Sequence, residues 1–386
     1  MALDQDILDH LLETVRRFVK NRLVPLEAQV AETDRIPESI IDEMRDLGLF
    51  GLTIPEQYGG LGLNTEEECQ VAIELGYTSA AFRSIIGTNN GIGSQGLIMD
   101  GTEEQKELYL PRLATGEIIG SFALTEPNVG SDSAKVQTKA IKDGNQYILS
   151  GTKRWITNAN IANVFTVFAR TNQSIDGAGG VSAFLVNADT PGISLSSKYK
   201  KMGQQGAHVC DVIFDECRVP ETNIIGGPEN INNGFKTAMK TLDRGRIHIS
   251  AFAVGCAKRL IEISTQYAIE RKQFGQAIAE FQMIQAMLAE SQAESYAAET
   301  MVFDAARRRD LGQKVNLHAS CCKLFASEMV GKVADRAVQI HGGAGYMDEY
   351  AVSRFYRDVR LFRIYEGTSE IQKTIIAKNL LKQAKK

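Results

Sequence analysis

The stretch Val164-Phe165-Thr166-Val167-Phe168 sets the fold class, because it is a short β-rich segment in a chain whose pattern elsewhere is mostly helical. Turn signals such as Asp143-Gly144-Asn145 separate it from its neighbours. Nothing in this zone has the pattern of a strand–helix–strand crossover, so we expect a small antiparallel barrel or sandwich over residues 120–228. Three further segments of the same kind are Tyr147–Leu149, Val181–Val186 and Val209–Phe214.

Helical patterns lie on both sides of this zone. In residues 1–119, apolar side chains from Ile7 to Leu23 recur at helical spacing. In residues 229–386, long helices with short connections indicate an antiparallel bundle. The predicted class is therefore α+β, mainly helical, with three domains at 1–119, 120–228 and 229–386. The long helices are expected over Phe235 to about Glu270, about Glu280 to Leu311, Asn316 to the glycines after His341, and from near Ser369.

Composition excludes several functional classes. The chain has 386 residues and a small formal charge of −4. It contains no basic stripe of the kind that binds nucleic acid, and no apolar run is long enough to cross a bilayer. The six cysteines form no CxxC and the five histidines have no metal-ligand spacing, so we expect no metal site. The acidic start Met1–Asp6 resembles neither a secretory signal nor a transit peptide. Scattered cysteines are most simply free thiols in a reducing compartment, so we expect the bacterial cytoplasm, or the mitochondrial matrix for a mature form.

One glutamate, Glu366, stands where the last helix begins, in the run Arg363-Ile364-Tyr365-Glu366-Gly367-Thr368-Ser369-Glu370-Ile371-Gln372. Gly367 permits an unusual backbone angle, and the next two hydroxyl residues can cap the helix. Because Ile364 and Tyr365 are apolar, desolvation can raise the pKa of the Glu366 carboxyl and let it act as a base. An isolated glutamate near a helix start is usually a solvated surface residue, so this assignment depends on the other motifs.

Two segments of the β zone suit a flat heterocycle. The turn within Ser121–Asp132 directs backbone N–H groups and hydroxyls, including Thr125, into one small volume. The only tryptophan, Trp155, precedes Thr157 by two residues, and strand alternation predicts that both face the same side. An indole there can stack on a planar cofactor while the hydroxyl donates to it. An ordinary turn and a core tryptophan are the alternatives.

Two segments of the helical zones suit phosphates. Arg271-Lys272-Gln273-Phe274-Gly275 lies at a helix end, where an arginine can bind a phosphate bidentately. Gln339–Gly345 closes another helix with three glycines, which allow backbone to approach a pyrophosphate or simply cap the helix.

Two glycine patterns need separate interpretations. Gly91–Gly96 matches GxGxxG, but it lies in a helical zone without the strand that a dinucleotide fingerprint requires, so we reject that reading. Gly245, within Asp243–Arg246, interrupts a long apolar helix at a cost of about 1 kcal/mol relative to Ala. That cost indicates a close approach of another group to Gly245.

Taken together and in this order, these segments resemble the acyl-CoA dehydrogenase family over nearly the whole chain. The resemblance implies the family's fold: an N-terminal helical domain, a central antiparallel β-domain and a C-terminal four-helix bundle. It also implies a homotetramer, a dimer of dimers, that transfers electrons to an electron-transfer flavoprotein.

The resemblance further implies which residues bind FAD and acyl-CoA. FAD contacts within one subunit would come from Phe122, Leu124, Thr125, Ser131, Trp155, Thr157, Thr368 and Glu370. The FAD of a neighbouring subunit would be reached by Arg271, Gln273, Phe274, Gln339 and Gly343, and Gln282 and Gly342 are further cofactor candidates. Acyl-CoA would be held by Ser131, Asp243, Arg246, Tyr365, Gly367 and Arg83. Phe122 stands where the family often has tyrosine, which removes one polar contact.

The implied reaction is α,β-dehydrogenation of an acyl-CoA thioester to the trans-2-enoyl-CoA. Glu366 would remove the α proton while the β hydride passes to FAD. Some family members carry the base at the position of Gly245, where glycine cannot serve, so Glu366 is the only candidate.

The acyl group is expected to be short, branched or dicarboxylic. The pair Arg83-Ser84 matches an Arg-Ser pair of glutaryl-CoA dehydrogenases, where the arginine faces the distal carboxylate. Two interpretations stay open: Arg83 binds an anionic acyl tail, or it pairs internally or with water. The alternative functions are a lyase on the same fold, such as a 3-sulfinopropionyl-CoA desulfinase, and a non-enzymatic flavin or CoA scaffold.

Overall fold

The computed structural model describes residues 3–385, and its first part is helical. Its helices begin where polar side chains can cap them: Asn64 and Thr102 each form a reciprocal capping box with the residue three positions later. The helical pattern is interrupted at Gly91, which has non-helical backbone angles (φ −90°, ψ −109°). The helices are α1 Gln5–Phe18, α2 Glu27–Thr33, α3 Glu38–Asp46, α4 Thr65–Leu75, α5 Ala80–Thr88, α6 Gln95–Asp100 and α7 Glu103–Thr115.

The central part is a seven-stranded sheet in the order β1-β4-β2-β3-β7-β6, with β5 paired to β4. Most pairs are antiparallel, and β2 and β3 form a tight hairpin around Gly144. The strands are β1 Gly120–Ala123, β2 Lys139–Asp143, β3 Gln146–Thr157, β4 Val164–Arg170, β5 Val181–Asn187, β6 Ile193–Leu195 and β7 Val209–Pro220.

The last part contains four long helices that pack together. Helix α8 (Gly234–Glu270) runs beside α10 (Asn316–His341), and α9 (Gln282–Asp310) and α12 (Ser369–Ala384) both contact α10. A short hairpin, β8 Lys272–Gln273 and β9 Gln276–Ala277, separates α8 from α9, and α11 Ala351–Val359 precedes the loop that carries Glu366.

Apolar side chains join the three parts. One core cluster includes Phe82 from α5, Phe252 from α8 and Val330 from α10, so the first helices and the bundle share a core. A second cluster joins Leu110 of α7 to Phe168 of β4 and Ala238 of α8. Within residues 3–385, no helix is both long and apolar enough to cross a membrane.

The predicted α+β class with a central β-domain between helical parts is confirmed. The sheet is not purely antiparallel as predicted, because β4 pairs in parallel with β1, with Gly120 opposite Val164 and Ala123 opposite Val167, and with β2 at Lys139 and Arg170. The short strand β1 arrives directly from the helical part, so no hairpin determines its direction. The rejection of a dinucleotide fold at Gly91–Gly96 agrees with the structure, since that segment continues helix α5 and follows no strand.

Candidate active site

Glu366 lies in a short loop between a 3-10 turn at Arg360–Arg363 and helix α12. Its backbone is left-handed (φ 58°), as is that of Gly367 (φ 87°). A non-glycine residue in this region is uncommon and is often associated with function. Thr368 then caps α12, since its hydroxyl accepts a hydrogen bond from the Ile371 N–H at 3.3 Å. The predicted helix start is therefore present, and the loop directs Glu366 inward.

The Glu366 carboxyl is enclosed and incompletely hydrogen-bonded. Its Oε2 atom is buried and has no hydrogen-bond partner among residues 3–385. Burial raises the pKa of the carboxyl, and the nearby cations Arg83, Arg246 and Lys323 partly oppose that rise. An unpartnered carboxylate oxygen in a closed site is costly, so its retention fits proton abstraction.

Gly245 explains how the carboxyl fits against helix α8. A Cβ atom at this position would lie 2.6 Å from Oε2 of Glu366, closer than real Cβ contacts. The close approach predicted from the mid-helix glycine is thus present, and the approaching group is the Glu366 carboxylate.

Donors fix the backbone of the loop from behind. The Glu366 carbonyl accepts hydrogen bonds from Gln372 Nε2 at 3.1 Å and from Arg246 Nε at 3.4 Å. The Gly367 carbonyl accepts from Lys323 Nζ at 2.6 Å and from Gln372 Nε2 at 3.0 Å. In the described part of the chain, no acceptor is bonded to the Glu366 N–H. That N–H is free to donate to a substrate oxygen.

A large cleft separates the Glu366 loop from the sheet. Its volume is about 610 Å³ on one side of the loop and about 440 Å³ on the other. The first part is lined by Thr125, Ser131, Trp155, Thr157, Tyr365, Glu366, Gly367 and Thr368, and the second adds Phe122, Leu124, Arg246 and, from α12, Ile371, Ile375 and Lys378.

Trp155 reaches this cleft by a different route from the predicted one. Strand alternation was expected to place Trp155 and Thr157 on one face, but Trp155 has a left-handed backbone (φ 56°). The register of β3 against β7 also shifts between Lys153 and Ile156. The alternation is therefore broken, and this local distortion, rather than the period of the strand, exposes the indole (57% exposed) in the cleft.

The cleft residues fit FAD, the cofactor that the sequence resemblance implies. An indole with an open face can stack on a planar ring system, and the Thr125 and Thr157 side chains lie in the same cleft. Gly367 presents backbone without a side chain at the boundary shared by both parts of the cleft.

A buried ion pair supports the turn that carries Thr125. Lys153 Nζ donates to Glu126 Oε1 at 2.7 Å and to the Leu124 carbonyl at 3.3 Å, and both side chains are buried. Glu126 also accepts from the N–H groups of Gln137 and Thr138. These contacts hold the turn from two sides. They also compensate the charges of Lys153 and Glu126, whose burial without a partner would be costly.

A second, small cavity of about 20 Å³ is lined by Glu366 and several other charged side chains. Arg83 lines it, and its Nε donates to His248 Nε2 at 3.1 Å. His248 Nδ1 faces Glu68 Oε1 at 3.0 Å, and Arg244 Nε donates to the other oxygen of Glu68 at 2.8 Å. Although burial raises the pKa of Glu68, the Arg244 charge and the hydrogen bond from His248 lower it to about 2, and burial lowers the pKa of His248. A neutral imidazole with its proton on Nδ1 satisfies both neighbours.

Arg83 thus combines features of both interpretations offered for it. It is bonded internally through a neutral histidine, yet it has no carboxylate partner among residues 3–385 and lines cavities that also contain Glu366.

The remaining predicted residues lie outside the cleft. Asp243 is beside it, since its Oδ1 accepts from Arg246 Nη1 at 2.6 Å, whereas Glu370 is exposed on α12. The other seven are exposed at one end of the bundle, where Ala268, Ile278 and Ile340 pack together and Tyr267 donates to the His341 carbonyl at 3.3 Å. They are Arg271, Gln273, Phe274, Gln282, Gln339, Gly342 and Gly343.

Sequence reasoning missed three contributors to the site: Lys323, Gln372 and His248. His248 is buried against Arg83, and its spacing from other residues gives no sign of that contact. A signal for Lys323 existed, because a lysine among Cys321, Cys322 and Leu324 on an apolar helix is unusual.

Comparison with known proteins agrees with this geometry. Models for the N-terminal, middle and C-terminal domains of acyl-CoA dehydrogenase match residues 6–117, 121–217 and 232–381. A probable acyl-CoA dehydrogenase of Bacillus subtilis is 43% identical over 370 residues, covering 96% of this chain and 97% of its own. The NADH-dependent acryloyl-CoA reductase of Anaerotignum propionicum is 40% identical over 385 residues, covering 99% and 96%. The butyryl-CoA dehydrogenase structure from Megasphaera elsdenii superposes with a TM-score of 0.94 at 34% identity, covering 99% and 100%.

Proposed function

This chain belongs to the acyl-CoA dehydrogenase family of flavoproteins, and we propose that it interconverts a short acyl-CoA and its trans-2-enoyl-CoA with bound FAD. The family's enzymes are oxidoreductases that act on CH–CH bonds of acyl-CoA. The observation that carries the proposal is the buried, unpartnered Oε2 of Glu366 beside a cleft that Thr125, Trp155 and Thr157 line from the opposite side.

The chain's own groups account for proton removal. Glu366 Oε2 takes the proton from the carbon α to the thioester carbonyl, and its raised pKa makes it a stronger base than a solvated carboxylate. Negative charge develops on the thioester oxygen, where the free Glu366 N–H can donate. Loss of one such donor typically costs about 3–4 kcal/mol. When bound, FAD supplies the two-electron acceptor for the β hydride.

The proposed substrate is a thioester of coenzyme A. Arg246 and Ser131 line the part of the cleft that continues along α12 to Lys378, which suits a long polar chain ending in phosphates. Asp243 orients Arg246 through its carboxylate. Tyr365 and Gly367 border the same space and would flank the thioester.

The acyl group is expected to be short, because the two cavities that Arg83 and Glu366 line together are small, about 20 Å³ and about 60 Å³. The guanidinium of Arg83, which lines both cavities, favours a polar or anionic tail over a long alkyl chain. A dicarboxylic substrate would pair its distal carboxylate with Arg83.

Replacement of Arg83 tests this assignment. We expect Arg83→Ala to lower kcat/KM for glutaryl-CoA by about 100-fold or more, because loss of a charge-assisted pair in a closed pocket costs about 3 kcal/mol. Butyryl-CoA, which carries no distal charge, is expected to change less than about 5-fold. Equal losses on the two esters would remove the dicarboxylate assignment and leave Arg83 as a support for His248.

The reductive direction is a second candidate. The acryloyl-CoA reductase similar to this chain acts on an enoyl-CoA, and the same Glu366 would then return a proton to the α carbon. The direction is set by the redox partner, which we propose to be an electron-transfer flavoprotein. A lyase acting on a sulfinated acyl-CoA and a non-enzymatic scaffold are less favoured, because neither explains a retained base.

A panel of CoA esters distinguishes these functions. Under anaerobic conditions, the purified yellow protein should be bleached by saturated short, branched or dicarboxylic acyl-CoA, with trans-2-enoyl-CoA as product. Photoreduced protein should be reoxidised by the matching enoyl-CoA if it works as a reductase. Sulfite release without bleaching would select the lyase, and spectral perturbation without turnover would select the scaffold.

A further inference from the structure

Lys323 is a buried cation that the reaction described above does not use. It lies on α10, its residue is 1% exposed, and its side chain points at the back of the Glu366 loop. Burial lowers the pKa of Lys323 to about 8, so the amine is mostly charged at neutral pH. Charged side chains are seldom buried without a partner, so this site calls for an explanation.

The partner of Lys323 is a backbone carbonyl. Nζ donates to the Gly367 oxygen at 2.6 Å, and no carboxylate within residues 3–385 forms an ion pair with it. The charged groups that influence it are Glu366 and Glu370 from the loop and α12, Arg246 from α8, and Glu328 from its own helix. Lys323 therefore affects Glu366 in two ways: through its hydrogen bond to the carbonyl of the next residue, Gly367, and through its charge.

The loop needs such support, because both Glu366 and Gly367 are left-handed. Glu366 carries an L side chain, for which this conformation is sparsely populated and persists only when surrounding contacts hold it. The contacts here are Lys323 and Gln372 on the Gly367 carbonyl, and Gln372 and Arg246 on the Glu366 carbonyl. Together they hold the two peptide groups of the loop in place.

We propose that Lys323 is a positioning residue for the catalytic base: its hydrogen bond to the Gly367 carbonyl holds Glu366 in its left-handed conformation, and its charge favours the ionised carboxylate. This inference rests on the proposed function. The cations facing Glu366 are Arg83 from α5, Arg246 from α8 and Lys323 from α10. Lys323 alone among them also bonds to the residue that follows the base.

Two variants separate the hydrogen bond from the charge. Lys323→Met removes both, whereas Gln372→Leu removes hydrogen bonds to the Gly367 and Glu366 carbonyls and leaves the cation in place. Lys332→Met is the matched control, because Lys332 is on the same helix and is exposed (58%) with only a loose contact to Glu294 at 3.6 Å. Melting temperature and flavin content are measured for each, so that a folding defect is recognised.

The readout is the base's own reaction. An acyl-CoA with sulfur in place of the β methylene cannot lose a hydride, but its α protons still exchange with D₂O, which NMR follows. We expect Lys323→Met and Gln372→Leu to slow this exchange by about 10- to 100-fold, since a misplacement of about 1 Å can cost that much. Lys332→Met should stay within about twofold of the wild-type rate.

The pH dependence distinguishes positioning from mere structural support. Loss of the Lys323 charge removes an influence that lowers the pKa of Glu366, so the acidic limb of the exchange profile should move to higher pH in Lys323→Met. The limb should not move in Gln372→Leu or in Lys323→Arg, which keep a cation. If Lys323→Met does not fold with flavin, Lys323→Gln is measured by the same criteria.

The inference is overturned if Lys323→Met exchanges α protons within about twofold of the wild-type rate. It is also overturned if the acidic limb of the Lys323→Met pH profile stays at the wild-type pH. Wild-type protein that neither exchanges α protons nor bleaches with any CoA ester would instead overturn the proposed function. The two failures are therefore distinguishable.

Discussion

At the scale of single residues, the chemistry depends on one carboxylate oxygen left without a partner. Burial alone would favour its protonated form, and the cations Arg83, Arg246 and Lys323 counter that tendency. The pKa of the proposed base is thus raised by burial and lowered by three cations, and the net direction is upward.

Gly245 permits this arrangement, and its replacement is a direct test at this scale. Gly245→Ala would place a Cβ atom 2.6 Å from Glu366 Oε2, so the carboxylate must move. Alanine favours a helix by about 1 kcal/mol over glycine, so α8 itself should not be weakened. We expect kcat to fall about 10- to 100-fold while the melting temperature stays near that of wild type. Full activity would show that the carboxylate works from another position.

The sequence was sufficient for Glu366 and Gly245, because each breaks a local rule: a charged residue between an aromatic and a glycine, and a glycine inside a long helix. It was insufficient for the roles of Gln372 and Lys323, although a lysine on an apolar helix was itself unusual. Both roles arise from contacts with backbone carbonyls of the Glu366 loop, and a backbone acceptor has no residue-type signal.

At the scale of elements, the flavin-facing side of the site depends on strand β3 and the turn after β1. Lys153, near the distortion in β3, crosses to Glu126 in that turn and to the Leu124 carbonyl. The pair is completely enclosed, so the strand and the turn form one unit.

Breaking this pair should loosen the turn. Lys153→Met leaves Glu126 charged and buried, and removal of one partner of a buried pair typically costs about 3–5 kcal/mol. We expect a lower denaturation midpoint in urea and weaker retention of FAD on dialysis. Arg218→Ala is the control, because Arg218 and Asp143 form an exposed pair worth at most about 1 kcal/mol. Equal losses of stability in the two variants would contradict the account.

Element-level patterns predicted the helices well and the sheet less well. The bounds of α8 and α10 follow from long apolar periods and glycine ends, and the structure places them at Gly234–Glu270 and Asn316–His341. The direction of β1 and the distortion at Trp155 could not be read from alternation. Both depend on pairing between distant segments, which a local pattern does not encode.

At the scale of the whole molecule, three parts meet around the Glu366 loop. The sheet and the turn after β1 supply Thr125, Trp155 and Thr157 to the cleft, the bundle supplies Arg246 and the Glu366 loop, and α5 supplies Arg83 to the small cavities beside it. Helix periods and turn signals predict where each part lies along the chain. They do not predict that the parts meet at the cleft, because this depends on core clusters shared between elements distant in sequence.

The exposed end of the bundle yields a prediction at this scale. Phe274 is 93% exposed at the tip of the β8–β9 hairpin and has a left-handed backbone (φ 51°). An aromatic side chain in that position fits a contact with another subunit, as the proposed tetramer requires. Phe274→Asp should therefore give a smaller particle by light scattering and less bound flavin per chain.

The control for that variant is Ile141→Asp, which changes an exposed apolar residue on β2. It should leave particle size and flavin content unchanged. Wild-type protein that is monomeric at all concentrations would contradict the tetramer, and an unchanged Phe274→Asp would exclude this hairpin from the interface.

The measurement that tests the central claim most directly compares wild type with Glu366→Gln, which keeps the shape of the side chain and removes its basicity. We predict that both proteins bind FAD equally, and that the reactive CoA ester bleaches only the wild type, with α-proton exchange slowed by about 10⁴-fold in the variant. Bleaching and exchange at wild-type rates in Glu366→Gln would contradict the assignment of Glu366 as the base.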